Sequence, residues 1–226
     1  MKYLLFIFII GIQIVLASCN QNQTELDFEK SVAYEIFPLL IEKIHFDRRL
    51  LPPPPPVPHY NDTNQLIGYD TIMSDSILKE WKHKAEELKA DTVRLVIAIN
   101  DSTESLKYED YKFLLKRYIE KEIIFKKIDL SEKYKIDLER LVADPKLKFK
   151  YRSNFPSKSN IWNEEYNFHL SGIIGFSRIL FDQSKEFGIL STGFGCGKLC
   201  GTGYLVLIKK VNKKWMIDKM IITEEA

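Results

Sequence analysis

At 226 residues, 45% hydrophobic and 12% aromatic, the chain carries enough apolar mass for a buried core. That excludes the class of disordered proteins marked by low hydrophobicity and high net charge. Its 33 basic residues nearly balance 31 acidic ones, so it lacks the basic surplus that nucleic-acid binding uses, and no nucleic-acid partner is expected.

The chain opens with Met1 and Lys2, a nearly unbroken apolar run from Tyr3 to Leu16, and then Ala17, Ser18 and Cys19. A positive start, an apolar centre and small residues at the cut make an export signal. The run falls short of the ~20 apolar residues of a spanning helix, which weighs against an uncleaved anchor. Plain secretory cleavage after Ala17 or Ser18 is the other alternative. Leu16-Ala17-Ser18-Cys19 resembles the lipobox of bacterial lipoproteins, whose pathway alkylates the cysteine sulfur and cuts just before it. The resemblance implies that residues 1–18 are removed and that Cys19 becomes an acylated N-terminus seated in the lipid bilayer. Several acyl chains at one point anchor stably where a single chain is marginal. Asn20, in place of the aspartate that often marks inner-membrane retention, points to the outer membrane. The mature balance is then 32 basic against 31 acidic residues, since Lys2 is the one charge removed.

After a polar tether at 19–24, Phe28, Val32, Ala33, Ile36, Phe37, Leu40, Ile41 and Ile44 recur at helical spacing. They define an N-terminal helical segment over 25–51. Pro38 interrupts it; an interior proline costs ~3 kcal/mol, so a kink or two short helices are expected. Prolines 52–56 with Val57 and Pro58 form a stiff polyproline connector and the clearest boundary, leaving 59–226 as an α+β domain. Residues 59–73 look like loop.

Ser74 to Ser76 offer caps for a helix ending near Ala90. Val93 to Ile99 is apolar on both faces, as in a strand covered from both sides. Residues 107–121 carry a further helix signal, and Phe125 to Leu130 a weak strand. From Lys146 the pattern turns to strands: Leu147–Tyr151, Phe168–Gly172, Phe176–Phe181, Phe187–Thr192, Tyr204–Lys210 and Trp215–Ile222. Their short gaps favour antiparallel neighbours, with a tight turn at Asn212-Lys213-Lys214. Lys146, Lys148, Lys150 and Arg152 alternate along one solvated edge. The expected architecture is α+β, with N-terminal helices packed on a mostly antiparallel β-meander.

The densest local motif is Cys196-Gly197-Lys198-Leu199-Cys200-Gly201-Thr202-Gly203. Its glycines open backbone angles closed to other residues and so permit a tight hairpin. With Cys19 acylated, Cys196 and Cys200 are an even pair in an oxidising compartment, and a disulfide is expected. A thiol redox sensor at the same pair is the competing reading, although the spacing is not Cys-x-x-Cys and the flanks are strands. His45, His59, His83 and His169 show no paired spacing for zinc.

The segment from about Tyr151 to the C-terminus, with Phe176-Ser177-Arg178-Ile179, the Cys-Gly-x-Leu-Cys-Gly-x-Gly run and Lys210 to Trp215, is similar to a group of envelope lipoproteins of Gram-negative bacteria. That resemblance implies an α+β secreted domain and carries over no catalytic residue. Lys213 departs from it, since such proteins often have glycine there.

No catalytic, nucleotide, cofactor or metal motif stands out. Gly175-Phe176-Ser177-Arg178-Ile179 begins like a nucleophile elbow but lacks the closing glycine. Scattered residues could still assemble an envelope hydrolase site: Asp101, His169 as general base, Arg178 and Asp182. Arg178 could instead pair with Asp182 along the sheet, the favoured reading, or receive an anionic ligand. The leading expectation is a membrane-anchored cell-envelope lipoprotein, a non-enzymatic binding or structural module whose partner is an envelope protein or a small ligand.

Overall fold

The computed structural model describes residues 24–51, 58–69, 75–106, 108–118, 125, 130–142 and 144–225. The leader, Cys19 and connector residues 52–57 lie outside them, as does most of the weak strand expected over 125–130.

Helix α1 spans Glu25–Ile44. Thr24 caps it by accepting the Asp27 amide at 3.1 Å, while Glu25 and Asp27 sit in the first turn and Lys43 in the last, complementing the helix dipole. Pro38 lies inside one uninterrupted helix, not between two short ones. The reason is burial. Val32, Ala33, Ile36, Phe37, Leu40, Ile41 and Ile44 are all buried on one face. Burying each of the large ones contributes about 1.5–3 kcal/mol, a sum that exceeds the proline penalty.

A two-stranded hairpin, β1 (Pro58–Tyr60) and β2 (Leu66–Tyr69), occupies what the sequence reads as loop. Its turn is held by Asn61, whose Oδ1 accepts the Thr63 and Gln65 amides at 3.0 and 2.8 Å. Helix α2 spans Asp75–Ala90, strand β3 Leu95–Ile99 and helix α3 Tyr108–Tyr118. Then come β4 (Leu147–Tyr151), β5 (His169–Phe176), β6 (Leu180–Phe181), β7 (Phe187–Gly197), β8 (Cys200–Val211) and β9 (Lys214–Glu225).

The main sheet has seven strands in the order β4-β3-β5-β7-β8-β9, with β6 also paired to β7. It is mostly antiparallel, but β3 lies between β4 and β5 and runs parallel to both. The simple meander is therefore corrected at this end. All five residues of β3 are buried, the pattern of a central parallel strand, and the long β3–β4 connection through α3 supplies the crossover that parallel pairing needs. Of the alternating basic residues only Lys148 and Lys150 lie in edge strand β4, Lys148 exposed and Lys150 half-buried with Nζ 4.1 Å from the Phe168 ring centroid. Arg152 opens the turn after it and bonds the Phe155 and Lys158 carbonyls.

Two expected strands merge and shift. One strand runs from His169 to Phe176, and pairing breaks at Ser177–Ile179 before resuming at Leu180. The break is filled by other bonds: Ser177 exchanges contacts with Ser191, and the Arg178 amide donates to the Glu104 carbonyl at 2.7 Å.

Helix α1 covers one sheet face, where Phe37 stacks on Phe176 with centroids 4.0 Å apart. Its apolar side shares one core with Ile97, Ile99, Ile174, Leu190, Val206 and Trp215. The opposite face carries two smaller clusters. One lies under α3, around Leu115, Ile189, Leu205 and Ile221, and the other gathers Val96, Ala98, Phe155 and Ile161.

Candidate functional site

A concavity of about 670 Å³ opens where the end of α1, the end of α2 and the starts of β3 and β4 meet. Asp47 follows α1 and caps the short turn Arg48–Leu50 by accepting the Arg49 amide at 3.0 Å. Its carboxylate also receives the Arg49 guanidinium, with Nη2 at 2.7 Å, and Arg49 Nη1 reaches Asp91 beyond α2 at 3.4 Å. Burial alone would push the Asp47 carboxyl up, but the bonds from Arg49 overcome it and hold its pKa below the ordinary value. Lys146 Nζ donates to the Lys89 carbonyl at 2.9 Å, and Trp81 Nε1 to the Leu51 carbonyl at 2.8 Å. These contacts tie α2 to the turn after α1 and to the residue that leads into β4, so the cleft's charges are largely spent on holding its own walls.

His45, at the C-cap of α1, lines this cleft and places Nε2 2.7 Å from Ser171 Oγ. Burial lowers its pKa, against Asp47 and Asp144, so the ring is neutral at pH 7. The separation suits a nucleophile and its base, but Ser171 is only 2% exposed and is not among the residues lining the cleft. A substrate carbonyl has no route to Oγ, and the pair acts as a packing contact.

A second groove, about 320 Å³, lies on the face opposite α1. Gly175, Gly193 and Gly203 sit side by side on β5, β7 and β8 as its floor. Glu104 and Asn100 stand on one side, Thr223 and Glu224 on the other, with Tyr111 of α3 above.

The four residues proposed for a hydrolase go to separate duties. Asp101 accepts the Ser153 hydroxyl at 2.6 Å and amide at 2.9 Å, so its pKa falls despite burial. His169 begins β5; burial lowers its pKa, Arg49 adds to the drop, and Asp47 opposes it. Arg178 forms a two-pronged pair with Glu29 of α1, not with Asp182, with Nε to Oε1 and Nη2 to Oε2 both at 2.7 Å. Asp182 caps the turn before β7, taking the Glu186 and Phe187 amides at 2.9 Å each. Burial would raise its pKa, but bonds from the Ser184 hydroxyl and these amides bring it down. No hydrogen bond or ion pair joins any two of the four.

Cys196 and Cys200 are disulfide-bonded, with Cα atoms 5.1 Å apart. The bond closes a two-residue turn at Lys198-Leu199, and the Arg48 guanidinium donates to the Cys196 carbonyl, tying the hairpin to the end of α1. None of the described glycines has positive φ, so the hairpin does not draw on the backbone freedom that the sequence reading assigned to its glycines. Asn212 and Lys213 do, at φ 50° and 68°, and make the last turn a two-residue one of type I′; Lys214 is already in β9.

Sequence reasoning missed His45, Asp47, Arg49, Asp91 and Glu29. The Asp47-x-Arg49 spacing after a helix end was a readable local signal. Nothing local joins Arg49 to Asp91 or Glu29 to Arg178.

Among the described residues no group of three or more His, Cys, Asp or Glu side chains is placed to hold a metal, and no helix is long and apolar enough to cross a membrane. No protein-family model, curated protein or solved structure matches the chain.

Proposed function

We propose that this chain is a membrane-anchored lipoprotein of the cell envelope, acylated at Cys19, whose α+β body is a non-enzymatic binding module, held at the outer membrane. The observation that carries the reading is the Cys196–Cys200 bond. Disulfides persist in oxidising compartments, and this pairing leaves Cys19, behind the apolar leader, as the one remaining cysteine. Binding is favoured over hydrolysis because Asp101, Arg178 and Asp182 each serve an internal contact.

The test is mass spectrometry of the mature N-terminal peptide after expression in a Gram-negative host, with fractionation of a Cys19→Ala form beside it. A lipid-modified Cys19 with residues 1–18 gone, and release of the variant from the membrane, is expected. An intact Met1 or an unmodified Cys19 would overturn the anchor.

A further inference from the structure

The glycine-floored groove lies across β5, β7, β8 and β9. Each interior glycine costs a strand roughly 0.5–1 kcal/mol relative to alanine, and such a residue commonly marks a bulge, a bend or the close approach of another molecule. At Gly175 a Cβ would meet Asn100 Nδ2 at 2.7 Å, and at Gly203 it would meet Thr223 Oγ1 at 3.0 Å, so a side chain there would have to displace a neighbour. Gly193 and Gly195 are different. A Cβ on Gly193 would find nothing nearer than 3.4 Å, one on Gly195 nothing within 4 Å, and neither residue has positive φ. Neither neighbours nor backbone require glycine at these two positions.

Strand periodicity puts Ile189, Ser191, Gly193 and Gly195 on the same face of β7. Ile189 is covered by the cluster under α3, and the cover ends where the glycines begin. The bare floor offers Cα–H groups and peptide planes whose N–H and C=O groups are spent in the β-ladder, a flat surface suited to the C–H face of a ring. The walls are polar. Asn100 Nδ2 donates to Glu104 Oε1 at 2.9 Å, while the Glu104 amide and carbonyl are fixed by Phe176 and Arg178 at 2.8 and 2.7 Å. Across the floor stand Thr223 and Glu224, and among the described residues none that lines the groove is basic. Carboxylates, an amide and hydroxyls accept and donate to ring hydroxyls, whereas two carboxylates without a cation repel anions. At about 320 Å³ the groove is at the lower end of small-ligand pockets.

We propose that this groove between Glu104 and Glu224 binds a neutral pyranose sugar, its ring lying on the Gly175–Gly193–Gly203 floor and its hydroxyls bonded to the two carboxylate walls. The assignment rests on the binding-module reading and names the ligand class for it.

The test is saturation-transfer NMR on the detergent-solubilised full-length protein. The probes are methyl glycosides of glucose, galactose, mannose and N-acetylglucosamine, with glucuronate and spermidine alongside. At least one neutral glycoside is expected to take up saturation and glucuronate none. Gly193→Val, which adds a strand-favoured side chain, should keep the wild-type melting temperature and abolish the transfer. Glu104→Gln should weaken binding about tenfold, the effect of losing a hydrogen bond to a charged group. If Gly193→Val fails to fold, Glu224→Lys at the exposed far wall is read in its place, with loss of transfer again expected. No transfer to any neutral glycoside, transfer to spermidine alone, or transfer unchanged in the folded variants would each overturn the proposal. Acylation of Cys19 is read separately, so an acylated chain that takes no glycoside defeats the groove and leaves the anchor standing.

Discussion

Glu29 on the first helix and Arg178 at the break between β5 and β6 form a buried pair, their side chains 4% and 7% exposed. Glu29 Oε1 also accepts the Ile179 amide at 2.9 Å, and the Arg178 guanidinium donates to the Glu132 carbonyl. The carboxylate thus replaces the ladder partner that the strand loses where it breaks, and the arginine holds a third segment to the same point. Tyr134 packs beside them with its guanidinium neighbour 5.7 Å from the ring centroid.

Removing one partner of this pair strands the other charge in the core. Glu29→Ala or Arg178→Ala is expected to destabilise by about 3–5 kcal/mol, while the double replacement Glu29→Leu with Arg178→Met should cost much less than the sum. Urea denaturation of the three variants checks this. Additive losses would show that the two residues do not act on each other.

Acid should loosen the end of α1. His45 and His169 both have pKa values lowered in the folded state, chiefly by burial. Between that lowered value and the unfolded value of about 6.5 the unfolded chain binds more protons, so stability falls as pH drops through that window. Below the folded pKa the loss levels off for these groups. Melting temperature measured from pH 7.5 to 5 should decline, and His45→Gln with His169→Gln should flatten the slope. An unchanged slope would remove the histidines from the account.

The Cys196–Cys200 bond closes a very short loop, and its worth follows from the small chain entropy it removes. Replacing both cysteines by serine is expected to cost about 2 kcal/mol without loss of the fold. Denaturation midpoints with and without reductant should show the same drop in the native protein and none in the variant.

Lys213 holds φ 68°, a left-handed conformation costing a side-chain-bearing residue roughly 1–2 kcal/mol. Lys213→Gly should stabilise by about 0.5–1 kcal/mol, the remainder being lost to the freedom glycine gives the unfolded chain. A rise in melting temperature is the expected result, and a fall would refute the type I′ assignment.

Local pattern carried a good part of this fold. The buried stripe of α1, the fully apolar β3 and the strand at Leu147–Tyr151 were legible because each side-chain period reports one face of one element. The hairpin β1–β2 was not, because its residues are largely exposed and leave no burial period to read. For a related reason Pro38 does not split the helix in two: propensity is local, whereas the seven buried residues on the helix's apolar face act through the sheet.

By itself the sequence determined the α+β class, the antiparallel C-terminal strands and the cysteine pair, since these follow from periodicity, gap length and parity along the chain. Tertiary structure alone decided the parallel placement of β3, the joining of Arg178 to Glu29 across 149 residues, and the bare glycine floor beneath Glu104 and Glu224. Those depend on which distant segments share a face, and the energy of such contacts is written in no local run of residues.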